Sequence, residues 1–574
     1  MRRGKYVLLI ILIFFFLVTA TILAFIYYEF RRPPTVKTNS YLEIDLAGPV
    51  FEFSEPDFLT SFFLGARPLS IHDLWQNIRK AKVDSRVQAL VLRIGYLECD
   101  WAKASEIREA ILDFRKSGKK AYAYIEEATD SDKEYYLASA CDTIALHPLG
   151  WLGVNGIGGW VPFFKGGLDK LGVEFEVEQV EEFKTAYNMF TEKGFTPAHR
   201  TMMESLYSDI FEHYVRTIAE ARKKDEAEVR KLIDQGLFQG EGALRAGLVD
   251  TLLYQDELEK LLLKEDQRTK LERVKMSEYS KVSPSSLGLD RGRKIALIYA
   301  SGPIHMGEGL YQTIGSRTLS RHIHRAREDK SIEAIVLRVD SPGGSAVASD
   351  VIWREMVLAK KEKPVVVSMS DVAGSGGYWI SMAAHKIVAQ PETLTGSIGV
   401  ISGKLNLAGF YRKMGITAER LAYGKKADLF TSWRGLTEEE RDCIKKEILW
   451  VYEQFLTKVA EGRNLTRDEV DKIGRGRVWT GRQAKEIHLV DDLGGLAKAI
   501  AVAKNLAGIP LDEEVRIVVW PKRISLLTAL FGRRESKLHI PMLGRDLEKL
   551  ISLLSLLKNQ EPWALMPIGG LIGQ

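Results

Sequence analysis

The chain contains two copies of one pattern, and no other feature of the sequence constrains its fold as strongly. AKVDSRVQALVLRIG at 81–95 matches EDKSIEAIVLRVD at 328–340, setting Ala89-Leu90-Val91-Leu92-Arg93 beside Ala334-Ile335-Val336-Leu337-Arg338. EYYLASACDTIALHP at 134–148 matches GYWISMAAHKIVAQP at 377–391, and Lys170-Leu171-Gly172-Val173 matches Lys413-Met414-Gly415-Ile416, both at an offset of 243. Gly247-Leu248-Val249-Asp250 matches His488-Leu489-Val490-Asp491 at 241. Two related units of roughly 225 residues follow from such self-similarity. The division expected is a first repeat at 41–267, a linker at 268–292 and a second repeat at 293–520. The polar stretch SEYSKVSPSSLGLDRGR (277–293) marks the connector.

Within each half, short apolar, largely β-branched runs such as ALIYA (296–300), AIVLRV and PVVVSMS alternate with stretches of helical period such as SDVIWREMVLAKKEK (349–363). That alternation predicts an α/β fold with mostly buried strands. With 574 residues, 45% hydrophobic and 27% charged, the chain has enough apolar surface for several domain-sized cores.

Residues 6–28 read YVLLIILIFFFLVTATILAFIYY, 23 positions without a charge. As a helix this run is ~34 Å long and covers a ~30 Å hydrocarbon layer. Its length and the lack of a small-x-small site after it favour an uncleaved anchor in 1–32 over a removed signal peptide. Arg2, Arg3 and Lys5 face Arg31 and Arg32 across it, and the count places the N-terminus in the cytoplasm and the bulk of the chain outside. The formal net charge is +5, of which +4 falls in 1–32, so no basic footprint for nucleic acid remains. Cys99, Cys141 and Cys443 are too few and too scattered for a disulfide scaffold or a cysteine zinc site, and each is expected as a small buried hydrophobe. The tail 521–574 contains DLEKLISLLSLLK (546–558), an amphipathic helix expected to pack on the body.

Chemistry is expected where the halves differ. SPGGS (341–345) follows a strand directly, whereas its counterpart YLECD (96–100) has no glycine. Paired glycines there either expose backbone N–H groups to a reacting oxygen or form an ordinary tight turn. In DVAGSGGYWIS (371–381), Ser375 sits among Gly374, Gly376 and Gly377, and a helical stretch follows; the first half has Asp132, Lys133 and Glu134 opposite Ser375, Gly376 and Gly377. A serine at the mouth of a helix is exposed to N–H donors of its own turn. Ala373 stands where G-x-S-x-G requires its first glycine, so that motif is not strictly matched.

A serine nucleophile needs a base. The ten histidines show no triad spacing, and His385 lies ten residues further along the same predicted helix, pointing elsewhere. A lysine serves if burial lowers its pKa. Lys184, in VEEFKTAYNMF, is the candidate; Lys425 and Lys426, in AYGKKADLF, are the alternative, because offsets of 243 and 241 place Ala427 and Lys425 opposite Lys184. Ser397 in LTGSIG stands opposite Val154, either to orient a neutral amine or to satisfy a turn.

SPGGS, GSGGYWIS, LTGSIG and a lysine in FKTAYNMF together resemble the long, two-repeat form of the signal peptide peptidase A (protease IV) family, over about 41–505. The resemblance implies two tandem crotonase-like or Clp-protease-like ββα repeats behind one N-terminal transmembrane helix. It also implies a serine endopeptidase with a Ser/Lys dyad that needs neither metal nor cofactor. Carried over by motif, Ser375 is the nucleophile, Lys184 the general base and Ser397 the hydroxyl beside it, with the N–H groups of Gly343 and Gly376 as the oxyanion hole. Partners implied are cleaved signal peptides and other apolar peptides, membrane lipid at the inner (cytoplasmic) membrane with the catalytic part extracytoplasmic, and further copies in a bowl-shaped homo-oligomer, a tetramer. A crotonase-type acyl-CoA enzyme and an inactive membrane scaffold are the alternatives.

Overall fold

The computed structural model describes residues 13–18, 21, 35–53, 68–265, 271–309, 312–521 and 563–565. Most of the apolar run 6–28 and all of 546–558 lie outside these residues; 13–18 and 21 are helical, and no described helix is long and apolar enough to cross a membrane.

The repeat in the sequence is a repeat in topology. One sheet runs Glu272–Lys275, Ser40–Phe51, Val87–Glu98, Lys120–Ile125, Thr143–Leu146, Thr251–Leu252, all parallel. The other runs Arg516–Trp520, Lys294–Ser301, Ile332–Ser341, Val365–Gly374, Lys386–Ala389, Asp492–Leu493, again parallel and in the corresponding order. Strands of this kind are apolar throughout because both faces are covered. Leu90 and Leu92 enter one core while Ala89 and Val91 enter another; likewise Ile335, Leu337 and Val339 face away from Ala334 and Val336. Each half then adds an antiparallel ribbon, Trp151–Val154 with Gly236–Gln239 and Leu394–Gly396 with Val478–Thr480. Each also has a 26-residue helix, Pro197–Arg222 or Glu438–Arg463, opened by a threonine cap at Thr196 or Thr437.

Several contacts tie the halves together, among them Asp209 with Thr480 and Arg482, and two are the most extensive. Glu174–Gln179 of the first half pairs antiparallel with Ile401–Asn406 of the second, Gln179 opposite Ile401. These segments are not repeat equivalents, so the pairing was invisible to the offset. The second tie is a buried ionic cluster: Arg338 meets Glu52 at 2.7 Å and Glu106 at 2.5 Å, and Lys103 meets Asp340 at 2.7 Å and Asp371 at 2.9 Å. Arg93, the repeat counterpart of Arg338, is partly exposed and pairs with Glu126.

The stretch expected as a linker carries the strand Glu272–Lys275 and short helices at Met276–Tyr279 and Pro284–Leu287. Buried Lys80 donates to the carbonyls of Tyr279 and Val282, which pins that stretch to the first half. Of the cysteines only Cys141 is fully buried; Cys99 and Cys443 are half-buried, and all three are free thiols.

Candidate active site

Ser375 ends the strand Val365–Gly374 and opens the helix Gly376–Ser381 with φ +53° and ψ −113°. A side-chain-bearing residue held there costs ~1–3 kcal/mol, so its surroundings must over-determine it. They do: its N–H donates to the Gly396 carbonyl and its own carbonyl accepts from Trp379 N–H, both at 2.8 Å. A Cβ on Gly376 would fall 2.7 Å from Ser349 Oγ and 3.1 Å from Gly343 Cα, and one on Gly377 would fall 2.6 Å from the Ser341 carbonyl oxygen. The glycine loop 343–345 therefore rests directly on the serine turn, which is why the sequence has glycine on both sides of the contact. The helix is only six residues long, shorter than expected; His385 lies past its end and accepts from Val365 N–H at 3.1 Å.

Lys184 arrives by way of the inter-repeat pairing. After the strand Glu174–Gln179, Val180 N–H bonds to Val400 O at 3.0 Å and Phe183 N–H to Arg475 O at 3.2 Å, and Glu181 pairs with Arg475 at 2.7 Å. Two further glycines make room for the side chain: a Cβ on Gly476 (φ +83°) would lie 2.5 Å from Lys184 N, and one on Gly399 would lie 3.2 Å from Lys184 Cδ. Lys184 Nζ ends 2.7 Å from Ser375 Oγ, 2.9 Å from the Ser397 carbonyl and 3.0 Å from Ser397 Oγ.

Lys184, Ser375 and Ser397 are all fully buried. Burial alone pushes the Lys184 amine well below the ordinary lysine range. An uncharged amine has two N–H bonds and one lone pair. Three partners suit that valence: in the uncharged form the N–H bonds would go to the Ser397 carbonyl and hydroxyl, and the lone pair would accept the Ser375 hydroxyl. Ser397, at φ +51°, is fixed by its N–H donating to Arg477 O at 2.7 Å.

Of the two candidate oxyanion donors, Gly376 N–H is first in its helix and has no intrahelical acceptor. Gly343, at φ +100°, donates its N–H to Ser341 Oγ at 3.2 Å, and Ser341 Oγ in turn donates to Gly302 O at 2.7 Å. Lys425 and Lys426 are exposed, in a loop where Asp428 binds Arg420 and Arg434, and neither is among the hydrogen-bond partners of Ser375 in the described residues. Gly399, Gly476, Ser341 and Ser349 were missed by sequence reasoning. Gly474-Arg475-Gly476-Arg477 held a signal, since the first half reads Ile233-Asp234-Gln235-Gly236 at the 241 offset.

A buried hydroxyl bonded to an uncharged amine, beside glycine amides, is equipped for nucleophilic attack on a carbonyl. Among the described residues no group of three or more His, Cys, Asp or Glu side chains is placed to hold a metal ion.

Comparison with known proteins bears on the same residues. The description Peptidase family S49 matches 113–268 and 358–510, one segment in each repeat. The chain is 37% identical over 494 residues to "Serine protease SPPA, chloroplastic" of Arabidopsis thaliana, covering 84% of this chain and 71% of that one. It is 35% identical over 452 residues to "Protease 4" of Salmonella typhi, covering 76% and 72%. Among solved structures, ClpP1 from Listeria monocytogenes is similar at 16% identity with a TM-score of 0.23, covering 35% of this chain and 91% of that one.

Proposed function

The chain belongs to peptidase family S49 and is a serine protease, and from that premise we propose that it hydrolyses peptide bonds with a Ser/Lys dyad drawn from both repeats. The observation that carries this reading is the 2.7 Å contact between Lys184 Nζ and Ser375 Oγ in a fully buried setting. Neutral Lys184 takes the Ser375 proton as Oγ attacks the carbonyl carbon of the substrate. The carbonyl oxygen becomes an oxyanion on the amides of Gly343 and Gly376, the former exchanging Ser341 Oγ for it. Collapse breaks the C–N bond, and the Lys184 ammonium protonates the leaving amine. A water, deprotonated by the same lysine, then cleaves the acyl ester and restores Ser375. Ser397 aims the lysine lone pair throughout. Lys425 and Lys426 have no role in this scheme.

The substrates proposed are extended apolar peptides, cleaved signal peptides among them. The run 6–28 would anchor the enzyme in the inner membrane, where such segments collect, with the catalytic part on the extracytoplasmic side. Association into a homo-oligomer is proposed too, and the nearly fully exposed Trp160, Leu421 and Tyr423 are apolar side chains that such contacts would cover. The division of labour between a base-carrying repeat at 41–267 and a nucleophile-carrying repeat at 293–520 belongs to the same proposal.

Ser375→Ala is expected to lower peptide cleavage by on the order of 10⁶-fold and to abolish fluorophosphonate labelling, with Lys184→Ala comparably severe. Lys425→Ala and Lys426→Ala should leave the rate unchanged. Full activity in Lys184→Ala, with loss in either of the other two, would move the base to the exposed loop. An intact serine that neither reacts with fluorophosphonate nor cleaves peptide would return the site to the acyl-CoA or scaffold alternatives.

A further inference from the structure

The strand that carries Ser375 slips out of register with its neighbour just before the nucleophile. Ile332–Ser341 and Val365–Gly374 pair evenly from Ile335 opposite Val365 to Val339 opposite Met369, and pairing resumes with Ser341 opposite Ala373. Asp340 therefore faces three residues, Ser370, Asp371 and Val372. The two extra residues advance the serine turn by ~7 Å of strand relative to the glycine loop, and bulges beside active sites re-aim side chains in this way. In the first repeat Val87–Glu98 and Lys120–Ile125 pair without a shift from Ala89 opposite Lys120 to Ile94 opposite Ile125.

A bulge leaves ladder groups unpaired, and here side chains take them over. Asp340 Oδ1 accepts from Val372 N–H at 3.2 Å, and Thr393 Oγ1 donates to the Ser370 carbonyl at 2.7 Å. Across the bulge lies Lys103 of the first repeat, near the start of the helix Trp101–Arg115. Its Nζ donates to Asp340 Oδ2 at 2.7 Å and lies 2.9 Å from Asp371 Oδ2, while its backbone N–H donates to Asp371 Oδ1 at 2.8 Å. Lys103 and Asp371 are both buried. At the repeat offsets the first half has Gly95 in the place of Asp340 and Ala128 in the place of Asp371, so its own turn lacks both carboxylates.

We propose that Lys103 is a positioning residue for peptide hydrolysis: its ammonium clamps Asp340 to Asp371 and so fixes the serine turn against the glycine loop that receives the oxyanion. The inference rests on the hydrolytic reading of Ser375 and adds a second task for the first repeat, which supplies one lysine as base and another as clamp. The two lysines are in opposite states. Burial acts against the charge on both, but Lys103 stands among Asp340, Asp371 and Glu52, which outweigh it and hold the amine well above the ordinary lysine range. Gly343 is three residues beyond Asp340 and Ser375 four beyond Asp371, so slack at the clamp passes to both sides of the reacting carbonyl.

Lys103→Met alone strands buried carboxylates and tests folding as much as alignment. The informative protein is the uncharged triple variant Lys103→Met, Asp340→Asn, Asp371→Asn, in which both 340 and 371 keep an acceptor oxygen for the amides they now hold. Asp340→Asn by itself leaves the pair of Lys103 with Asp371 in place, and it decides alone if the triple variant does not fold. Each protein is assayed for kcat and KM on one peptide from pH 7 to 10, with kcat expressed per serine labelled by excess fluorophosphonate. A shift near 1 Å costs about 10²-fold, so kcat per labelled serine should fall by about that factor in the triple variant and on the order of tenfold in Asp340→Asn, with KM within about twofold. The pH midpoint should not move, because nothing beside Lys184 has changed. A role in support alone would lower the number of labelled serines and leave kcat per labelled serine as in the parent. That result in a folded variant, or a fall in kcat accompanied by a displaced pH midpoint, would overturn the proposal. Failure of the hydrolytic reading is distinct, since the parent itself would then neither label nor cleave.

Discussion

At the turn where the second repeat holds Ser375, the first holds Asp132, and the surrounding backbone serves opposite ends. Asp132 opens the helix Asp132–Ala138, and its carboxylate accepts from the amides of Asn155 at 3.2 Å and Gly156 at 3.1 Å. The equivalent loop of the second repeat presents a carbonyl and a hydroxyl, both from Ser397, to the Lys184 amine. Glu134, in the place of Gly377, accepts from Leu97 N–H at 2.6 Å, and Lys133, in the place of Gly376, donates to Cys99 O at 2.9 Å. Side chains of the first repeat thus bond to the backbone around this turn, at the amides of Leu97, Asn155 and Gly156 and the carbonyl of Cys99. The cavity left among Tyr96, Trp101, Asp132, Glu134 and Gly156 is about 10 Å³, room for one water at most. Burial raises the Asp132 carboxyl to about 6 and Glu134 also upward. One fold therefore makes either an open, glycine-lined turn or one filled by side chains, and the difference lies in which residues stand at 132–134 and at 375–377.

Exchanging residues across that comparison tests it most severely. Gly377→Glu imports the first-repeat residue into a position where even a Cβ would come within 2.6 Å of a backbone oxygen. Loss of an oxyanion donor alone costs ~10²- to 10³-fold, and here the turn must also move, so a fall in kcat/KM of at least about 10³-fold is expected. The reverse exchange, Glu134→Gly, should leave kcat/KM within about twofold and lower stability by ~1–3 kcal/mol, because the Leu97 amide loses its acceptor. Peptide hydrolysis and urea unfolding of the two variants read both effects. Activity surviving in Gly377→Glu would mean that the glycines are not what separates the repeats.

A smaller effect is expected at a glycine that packs against the lysine and not against the serine turn. Gly476→Ala puts a Cβ 2.5 Å from Lys184 N at a residue with φ +83°, so the lysine backbone must yield while the serine turn stays in place. A displacement near 1 Å costs about 10²-fold. The expected signature is a kcat lowered by that factor with KM little changed, read from steady-state kinetics on one peptide.

Ser375 was legible because the first repeat served as a control: a serine amid glycines stood opposite Asp132, Lys133 and Glu134. The two sheets were legible for the same reason, since AIVLRV and ALVLRI are short, apolar and rich in β-branched residues and alternate with stretches of helical period. Lys184 was half legible. The offset falls by two residues between Lys170, where it is 243, and Gly247, where it is 241, so Lys425 stayed opposite it until burial separated one lysine from the other. The pairing of Glu174–Gln179 with Ile401–Asn406 joins segments with different positions in their repeats, and no comparison of the halves can show it. Trp563–Leu565 is three residues in a tail without a repeat partner, and only its backbone partners reveal it as a strand. Arg338 and Arg93 look alike in the sequence; a contact between the repeats is what buries one of them.

The last contrast is between a lysine carried as a cost and lysines that stay solvated. In the unfolded chain Lys184 is protonated up to the ordinary value near 10.5, whereas in the fold burial holds it neutral from well below that value. Between the two, the unfolded chain binds the extra proton, so stability rises with pH across that window and is flat above it. Lys184→Met keeps the apolar stem and removes the linkage. At pH 7 it should be as stable as the parent or ~1–3 kcal/mol more so, with the difference shrinking toward pH 10 as the parent recovers what deprotonation costs it. Lys425→Met, on the exposed loop, should show no such convergence. The same lysine gives kcat/KM of the parent a rising limb with pH, because only the uncharged amine accepts the Ser375 proton, and a plateau reached below the ordinary lysine range. Urea unfolding of the three proteins from pH 7 to 10 decides the matter. A stability difference for Lys184→Met that does not change with pH would mean that the amine stays charged in the fold, and the lone pair on which the dyad depends would not exist.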